Sequence, residues 1–508
     1  MDKIVVLDFG GQYSHLISRR VREFGVYSEV LPGDTSADEL QKVGNLKGII
    51  LSGGAASVYD KAAPKCDHRI FKLGVPILGI CYGHQLIAYM NGGNVTYGES
   101  GEYGVTELRV LTTSKLFKDL SPIEKVWMNH RDVVKELPPD FKVVAVTDNS
   151  PVAAFENDAH KLYGVQFHPE VTHTPNGGKV LANFVFNICD ARKEWSTANI
   201  IETIQNEIRD KLTNKRAIIG LSGGVDSSTA AVLVHNVIGK NLIAVYVDTG
   251  LMRYKETEFI QQTFAKFDLN LHIIDAKDRF FNALKGVTDP EAKRQIIGKL
   301  FIDIFEEVAA KESATVLVQG TIYSDRIESG ITRYSARIKS HHNVGGLPPT
   351  MKLEVYEPLR DLYKDEVRRI AKELGLPDSI VHRHVFPGPG LAVRIVGEVT
   401  PEKVEIVRKA SYIIEQELKA AHLYDKVWMA FAVLLPIKTV GIQGDARTYK
   451  YPIVVRIVES QDAMTANFAK LPYEVLERIS TRITNEIDEV NRVVYDISNK
   501  PPATMEWE

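Results

Sequence analysis

Cysteine is scarce in this chain, and long apolar runs are missing. Only three of the 508 residues are cysteines, Cys66, Cys81 and Cys189, which is too few for a disulfide framework in a protein of this size. No apolar stretch approaches the roughly 20 residues that cross a bilayer, and the first residues lack the basic start and apolar core of a signal peptide. We therefore expect a protein of the reducing cytoplasm with no membrane partner.

A charge excess of either sign is missing as well. The net charge is −3, so no global basic field attracts nucleic acid, and we expect no nucleic-acid partner. Apolar residues make up 44% of the chain and charged residues 25%, the proportions of a globular protein rather than a disordered one. At roughly 150 residues per domain, the length predicts about three domains.

Short β-branched runs alternate with helical stretches through the first two thirds of the chain. This alternation predicts two doubly wound α/β domains, one in residues 1–192 and the other in residues 193–386. A polar helical segment joins them. Residues 387–508 instead mix long strands with amphipathic helices, which predicts a small α+β domain at the C-terminal end.

One of the cysteines lies where a predicted strand runs into a helix. The apolar run VPILGI ends at Cys81, and the helical pattern YGHQLIAYM follows it directly. A strained strand-to-helix turn exposes a nucleophile, while the helix N-terminus favours the thiolate and offers N–H groups to an oxyanion. A lone cysteine is more often a buried structural residue. The glycines at 79 and 83 and the helix that follows favour a nucleophile here.

A histidine and a glutamate two residues apart supply the partners that such a nucleophile needs. In an extended segment, residues i and i+2 point to the same face, so His168 and Glu170 are expected to lie side by side. One can act as the base for Cys81 while the other orients the imidazole. Taken alone, the pair is a strand-end histidine beside a surface glutamate. With Cys81 it forms a candidate catalytic triad.

A glycine-rich loop follows a second apolar strand, RAIIGL, and opens a helix. Its residues are Ser222, Gly223, Gly224, Val225, Asp226, Ser227 and Ser228. Backbone N–H groups and hydroxyls in such a loop form a phosphate site. The loop lacks the lysine of a Walker A motif. Asp226 offers the carboxylate oxygen that Mg²⁺ prefers beside phosphates, although an acidic residue in the first turn of a helix is also ordinary helix chemistry.

The cysteine and His-Pro-Glu segments together resemble the class I glutamine amidotransferases, and the glycine-rich loop resembles the SGG-x-DS signature of the N-type ATP pyrophosphatases. This domain order, with an α+β domain at the end, resembles the GMP synthetase family over essentially the whole chain. The resemblance implies that glutamine is hydrolysed and that its ammonia aminates XMP through an adenyl-XMP intermediate, releasing AMP and pyrophosphate. It also implies Mg²⁺ with ATP and a homodimer formed through the C-terminal domain.

The same resemblance implies roles for further residues. For glutamine and its oxyanion it implies Gly54, Tyr82, Gln85, Asn129 and Asp132. Taken alone, the NHRD stretch that contains the last two is typical of a polar loop. For ATP it adds Val247 and Leu251 to the glycine-rich loop. For XMP it implies Arg294, Gln443, Lys500 and Glu506, and for a lid over both nucleotides Lys339, His341 and His342.

Two other functions remain open at this level. An amidotransferase with the same two halves can act on a tRNA or on another small carbonyl compound, although the near-neutral charge weighs against tRNA. A nucleotide-sensing protein with relic motifs would carry a broken triad or a broken loop, and neither is broken here. AMP formation that depends on XMP distinguishes the three.

Overall fold

The chain divides into two compact units, Met1–Ile200 and a second one that runs from Ile201 to Glu508. This computed structural model describes residues 1–323, 325, 353–460 and 465–508. No helix among the described residues is long and apolar enough to cross a membrane. The two boundaries between the three predicted domains stay a prediction.

The first unit is built on a nine-stranded sheet in the order β2-β1-β3-β4-β9-β8-β7-β5-β6. Its strands are β1 (Lys3–Asp8), β2 (Tyr27–Pro32), β3 (Leu46–Leu51), β4 (Ile77–Ile80), β5 (Asn94–Val110), β6 (Ile123–Glu136), β7 (Lys142–Val146), β8 (Ala154–Asn157) and β9 (Leu162–Val165). From β2 to β9 the neighbours are parallel, and from β9 to β6 they are antiparallel. The predicted parallel sheet is therefore extended by an antiparallel half, because no helix separates the strands between β5 and β9.

Helices and apolar side chains cover both faces of this sheet. The helices are α1 (Ser14–Glu23), α2 (Ala37–Gln41), α3 (Tyr82–Met90), α4 (Gly177–Ala182) and a π-helical turn at Asn183–Ile188. Val6 and Ile50 belong to one core cluster, whereas their strand neighbours Val5 and Ile49 belong to another. Alternate residues of a strand point to opposite faces, so burial on both sides explains the continuous apolar runs of β1 and β3.

A five-stranded parallel sheet opens the second unit, in the order β12-β11-β10-β13-β14. Its strands are β10 (Ala217–Gly220), β11 (Leu242–Asp248), β12 (Asn270–Asp275), β13 (Val316–Val318) and β14 (Glu354–Tyr356). The helices are α5 (Thr197–Leu212), α6 (Val225–Ile238), α7 (Glu256–Phe264), α8 (Lys277–Leu284), α9 (Pro290–Lys311), α10 (Lys364–Glu373) and α11 (Asp378–Val381). After β10 the chain adds β11 and β12 on one side of this strand, and then β13 and β14 on its other side. The carboxyl end of β10 is therefore a topological switch point, where ligands of such sheets bind.

The rest of the second unit is the predicted α+β arrangement. It consists of α12 (Pro401–Ala420), α13 (Tyr473–Glu486), β15 (Met429–Leu434), β16 (Thr439–Gln443), β17 (Ala446–Glu459), β18 (Asn467–Phe468) and β19 (Val490–Tyr495). The long strand β17 is antiparallel to β15, β16 and β18 and parallel to β19. One core cluster of buried residues extends from Ile218 to Val490 and so joins the two sheets of this unit. The predicted fold classes are confirmed.

Candidate active site

Cys81 lies between the end of β4 and the start of α3, with φ 52° and ψ −105°. A non-glycine residue adopts these angles only at a cost, which the surrounding packing must offset. A Cβ at Gly79 would overlap the carbonyl of Gly83, and one at Gly83 would overlap the carbonyl of Leu51. The two glycines therefore let the turn fold tightly around the cysteine. The predicted strand-to-helix turn is present in the structure.

The His168 ring and the Glu170 carboxylate lie in direct contact, with 2.7 Å between Nδ1 and Oε1. The predicted extended segment is not observed: β9 ends at Val165, and both residues belong to the turn that follows it. The His168 N–H donates to the Trp127 carbonyl at 3.0 Å, and the Thr174 hydroxyl donates to the His168 carbonyl at 2.7 Å. These bonds fix the backbone of the turn, so its geometry does not depend on strand pairing.

The histidine also faces the cysteine. A Cβ built on Gly53 would lie 3.3 Å from His168 Cε1 and 3.8 Å from Cys81 Cβ, so both side chains line the same small space. Burial lowers the pKa of His168, but its hydrogen bonds to Cys81 and Glu170 outweigh this effect and raise the pKa to about 10. The imidazole therefore keeps its proton at neutral pH beside a sulfur atom that must be activated.

The residues predicted for glutamine surround this pair. Gln85 donates from Nε2 to the Asp132 carbonyl at 2.9 Å, and the carbonyl of Asn129 lies 3.9 Å from Cys81 Sγ. Tyr82 is buried directly after the cysteine, and a Cβ at Gly54 would lie 3.2 Å from its ring. The structure thus brings Asn129 to Cys81 directly, while Gly54 and Asp132 contact its helix neighbours Tyr82 and Gln85. Asn129 and Asp132 lie within β6, not in a loop.

Three residues near this centre, Tyr59, His130 and Glu102, were not predicted to contribute to it. The Tyr59 hydroxyl donates to Asp132 Oδ1 at 3.0 Å, and the buried His130 ring lies between Asp132 and Glu102. His130 precedes Asp132 by two residues, so a strand assignment for this segment would have placed both on one face. No comparable sequence signal indicates Tyr59, because its contact joins segments 73 residues apart.

The glycine-rich loop follows β10 at the switch point and ends at the N-terminus of α6. Gly223 has φ 74°, a conformation that side chains rarely adopt. The hydroxyls of Ser222 and Ser227 are 3.0 Å apart, and Ser228 donates to the Gly224 carbonyl at 2.7 Å. Val225 begins the helix. The loop therefore has the hydroxyls, the turn and the helix N-terminus that a phosphate site requires.

Asp226, in the first turn of α6, has two unlike oxygens. Oδ2 accepts from Lys364 Nζ at 2.5 Å, whereas Oδ1 is buried with no hydrogen-bond partner among the described residues. A hard cation fits such an oxygen. The described residues hold no group of three or more His, Cys, Asp or Glu side chains able to bind a metal ion by themselves. A cation at Asp226 would therefore take its other ligands from a phosphate substrate and water.

Val247 and Leu251 are buried at the carboxyl end of β11, with 4% and 1% exposure. The Leu251 carbonyl accepts from the N–H of Leu391 at 2.8 Å. Next to this strand end is a polar cavity of about 230 Å³ whose lining includes Asp248 and Lys277. A nucleoside next to the glycine-rich loop would lie at this edge of the sheet.

The residues predicted for XMP are only partly brought together. Arg394 donates from Nε and Nη2 to the two carboxylate oxygens of Glu506, at 3.0 and 2.8 Å. Glu508 pairs with Lys293, the neighbour of Arg294. Arg394 and Lys293 were not predicted to make these contacts.

The other two residues predicted for XMP lie elsewhere in the second unit. Lys500 is fixed through its backbone, which exchanges two hydrogen bonds with Ala466. Gln443, at the end of β16, donates to the carbonyls of Thr484 and Val490 at 3.4 Å each. The predicted lid residues Lys339, His341 and His342 lie outside the residues that the structure describes.

Comparison with known proteins assigns three parts of the chain to families. Residues 5–188 match glutamine amidotransferase class-I, residues 196–299 match NAD synthase, and residues 416–507 match the GMP synthase C terminal domain. A GMP synthase (glutamine-hydrolyzing) from Caldanaerobacter subterraneus subsp. tengcongensis is 55% identical over 100% of this chain and 99% of its own length. Its counterpart from Aquifex aeolicus is 53% identical over 99% of each chain. A solved glutamine amidotransferase from Thermotoga maritima, 19% identical, covers 41% of this chain and 85% of its own with a TM-score of 0.29.

Proposed function

The chain belongs to the family of glutamine-hydrolysing GMP synthases, and from this premise we propose which residues carry its two half-reactions. The first half releases ammonia from glutamine. The second half adenylates XMP with ATP and lets ammonia displace AMP. The observation that supports this division best is the contact among Cys81, His168 and Glu170 in a chain that also holds a phosphate loop.

In the first half, Cys81 attacks the carboxamide carbon of glutamine and forms a thioester. His168 holds the proton that the departing ammonia takes up, and it later accepts one from the water that releases glutamate. Glu170 orients the imidazole through Nδ1. Gly54 and Tyr82 offer backbone N–H groups to the oxyanion, and the remaining glutamine-binding residues are Gln85, Asn129 and Asp132. Of these, Asp132 brings a carboxylate for the amino group of glutamine.

In the second half, the loop of residues 222–228 binds the β- and γ-phosphates of ATP, while Val247 and Leu251 contact its nucleoside. Bound Mg²⁺ would neutralise charge on the phosphates. Asp226, with its buried unpartnered Oδ1, would supply the protein ligand for that cation. The C2 oxygen of XMP attacks the α-phosphate, which releases pyrophosphate, and ammonia then displaces AMP. The protein contributes positioning and charge neutralisation to both steps.

We assign XMP to the region where the C-terminal segment meets the start of α9. Arg294 provides a cation for the phosphate of XMP, and Glu506 provides a group for its base or ribose. Lys500 and Gln443, which lie elsewhere in the unit, are proposed as further XMP ligands on the family resemblance alone. The pairing of Glu506 with Arg394 and of Glu508 with Lys293 supports this assignment, because it fixes the C-terminal segment. On the family resemblance we also propose Lys339, His341 and His342 as lid residues.

The proposed assembly is a homodimer formed through the C-terminal sheet. Val440 and Ile442 lie two residues apart on β16, and Tyr449 pairs with Val440 across the hairpin, so the three share one face. They are 51%, 76% and 65% exposed, which makes this an apolar surface that a partner would cover. We place the enzyme in the cytoplasm, because its three cysteines are free thiols.

A single assay tests the proposed function. The protein is mixed with ATP, Mg²⁺ and either glutamine or ammonia, with and without XMP, and AMP and GMP are measured. We expect AMP and GMP in equal amounts, and only when XMP is present. AMP formation without XMP, or with another carbonyl compound in its place, would assign the second half to a different acceptor.

A further inference from the structure

A buried pair of titratable side chains that the proposed mechanism does not use lies next to the glutamine site. His130 on β6 and Glu102 on β5 are directly opposite each other in the antiparallel hairpin. His130 Nε2 lies 3.0 Å from Glu102 Oε2, and both side chains are 2% exposed. Groups of this kind are costly to bury, so they are expected to pair fully.

The His130 ring bridges two groups through its two nitrogens. Nε2 lies 3.0 Å from the Glu102 carboxylate, and Nδ1 lies 3.0 Å from the backbone carbonyl of Asp132. A carbonyl only accepts hydrogen bonds, so Nδ1 is the donor to Asp132. The hydrogen bond between Nε2 and Glu102 therefore orients the ring toward the Asp132 carbonyl. The second carboxylate oxygen of Glu102 accepts from the Thr147 hydroxyl at 2.7 Å, which completes its partners.

The next titratable neighbour of this pair is a second buried histidine. His84, on the helix that begins after the nucleophile, is fully buried and has a pKa lowered to about 3, chiefly by burial and further by the charge of His130. It therefore stays neutral at physiological pH, and among the described residues Glu102 is the carboxylate that faces His130. Its Nε2 lies 3.1 Å from the Val152 carbonyl.

Asp132 is the residue that this pair holds in place. Its backbone carbonyl accepts from both His130 Nδ1 and Gln85 Nε2, and its carboxylate accepts from the Tyr59 hydroxyl. The carbonyl of Asn129, the residue before His130, faces Cys81 Sγ. A shift of His130 would therefore move the groups that receive glutamine without touching the His168–Glu170 pair.

We propose that the buried, hydrogen-bonded pair of His130 and Glu102 positions Asp132 for the amino group of glutamine and so sets the affinity of the glutaminase for its substrate. This inference rests on the proposed glutamine site at Asp132. His130 and Glu102 are positioning residues, because they act through Asp132 and do not reach the reacting atoms. Their loss is expected to weaken glutamine binding and to leave the thiol chemistry unchanged.

His130→Gln in the full chain tests the proposal, with the exposed His160→Gln as the matched control. We expect the KM for glutamine to rise about tenfold or more while kcat changes less than about threefold. The rate at which iodoacetamide alkylates Cys81 should not change, since the triad is intact. Labelling of Cys81 by a glutamine-shaped chloroketone should need correspondingly more reagent for saturation. GMP formation from added ammonia should match the wild type.

Two further variants show how the pair acts and keep the test valid if His130→Gln fails to fold. Glu102→Gln should raise KM less than His130→Gln does, because a neutral imidazole can still donate to the Asp132 carbonyl and accept from the new amide. Thr147→Val removes a single hydrogen bond to Glu102 and should raise KM about threefold.

The outcomes separate this inference from the proposed function. Wild-type protein that cannot hydrolyse glutamine would overturn both. Active wild type whose KM stays within about twofold in His130→Gln and in Thr147→Val would overturn only the inference. A fall in kcat or in the alkylation rate that parallels the change in KM would also contradict it, since this would show a general loss of structure.

Discussion

The nucleophile turn at Cys81 and the glycine-rich loop at residues 222–228 share one local design: each joins the end of a parallel strand to the N-terminus of a helix. They differ in what surrounds them. Cys81 and His168 are 6% and 5% exposed, whereas Ser222 lies open at the surface. Covalent chemistry needs one sulfur atom at a fixed angle, and a buried turn provides it. A phosphate site needs several N–H groups that a large anion can reach.

The cationic groups near Cys81 and near the glycine-rich loop also have different kinds of partner. In the first unit His168 keeps its proton through Glu170 and Cys81, which are catalytic groups themselves. In the second unit, cations near the loop are paired with carboxylates of the chain: Lys364 with Asp226, and Arg383 with Glu256 at 2.6 Å. The loop is therefore expected to tolerate changes in packing better than changes in charge.

The largest expected effect separates the two halves outright. Cys81→Ala should reduce glutamine-dependent GMP formation at least about 10³-fold, because the thiol that forms the thioester is lost. GMP formation from added ammonia should be unchanged, since the second half does not use the thiol. Glutamate release and GMP formation measured in the same reactions check both statements. Equal loss of both activities would show that the halves do not act separately.

Removing a charge from the glycine-rich loop should impair the second half-reaction and leave the first intact. Asp226→Asn is expected to lower XMP-dependent AMP formation about 10²- to 10³-fold with either nitrogen source, because the carboxylate proposed to hold Mg²⁺ is lost. Hydrolysis of glutamine should persist.

The matched control for this variant is Asp268→Asn. Asp268 pairs with Lys240 at 2.6 Å, much as Asp226 pairs with Lys364 at 2.5 Å, but it lies on the exposed surface. Equal losses of activity in the two variants would contradict a metal role for Asp226.

The sequence predicted the two strand-to-helix turns well, because glycines, polar residues and apolar periodicity define them locally. It did not predict that His168 and Glu170 lie in a turn after β9, since the bonds that fix this turn come from Trp127 and Thr174. The NHRD segment is polar enough to be typical of a loop, yet it is a strand in which buried His130 pairs with Glu102. Such polar residues are buried only because distant partners satisfy them, and a linear pattern does not contain those partners.

The buried turn that holds His168 and Glu170 is expected to be sensitive to a single added methyl group. A Cβ at Gly177 would overlap the carbonyl of Pro169, between His168 and Glu170, whereas one at the neighbouring Gly178 would meet nothing within 4 Å. Gly177→Ala should therefore destabilise the first unit by about 1–3 kcal/mol and reduce glutaminase activity. Gly178→Ala should change stability by less than about 1 kcal/mol. Thermal unfolding and glutamate release measure the two effects.

The smallest expected effect concerns the proton on His168. Its pKa is raised to about 10 although burial lowers it, and hydrogen bonds to Cys81 and Glu170 are responsible. Since the pKa in the unfolded chain is near 6.5, this proton stabilises the fold fully below about pH 6.5, and the contribution is lost as the pH rises toward 10. Cys81→Ala removes one of the two partners, so the pKa of His168 should fall and stability should begin to decline at a lower pH. NMR titration of the imidazole and unfolding curves between pH 6 and pH 10 check this. An unchanged His168 pKa in this variant would mean that Glu170 alone stabilises the protonated imidazole. The cation in the first unit would then be paired with a single carboxylate, as Lys364 is with Asp226 in the second unit.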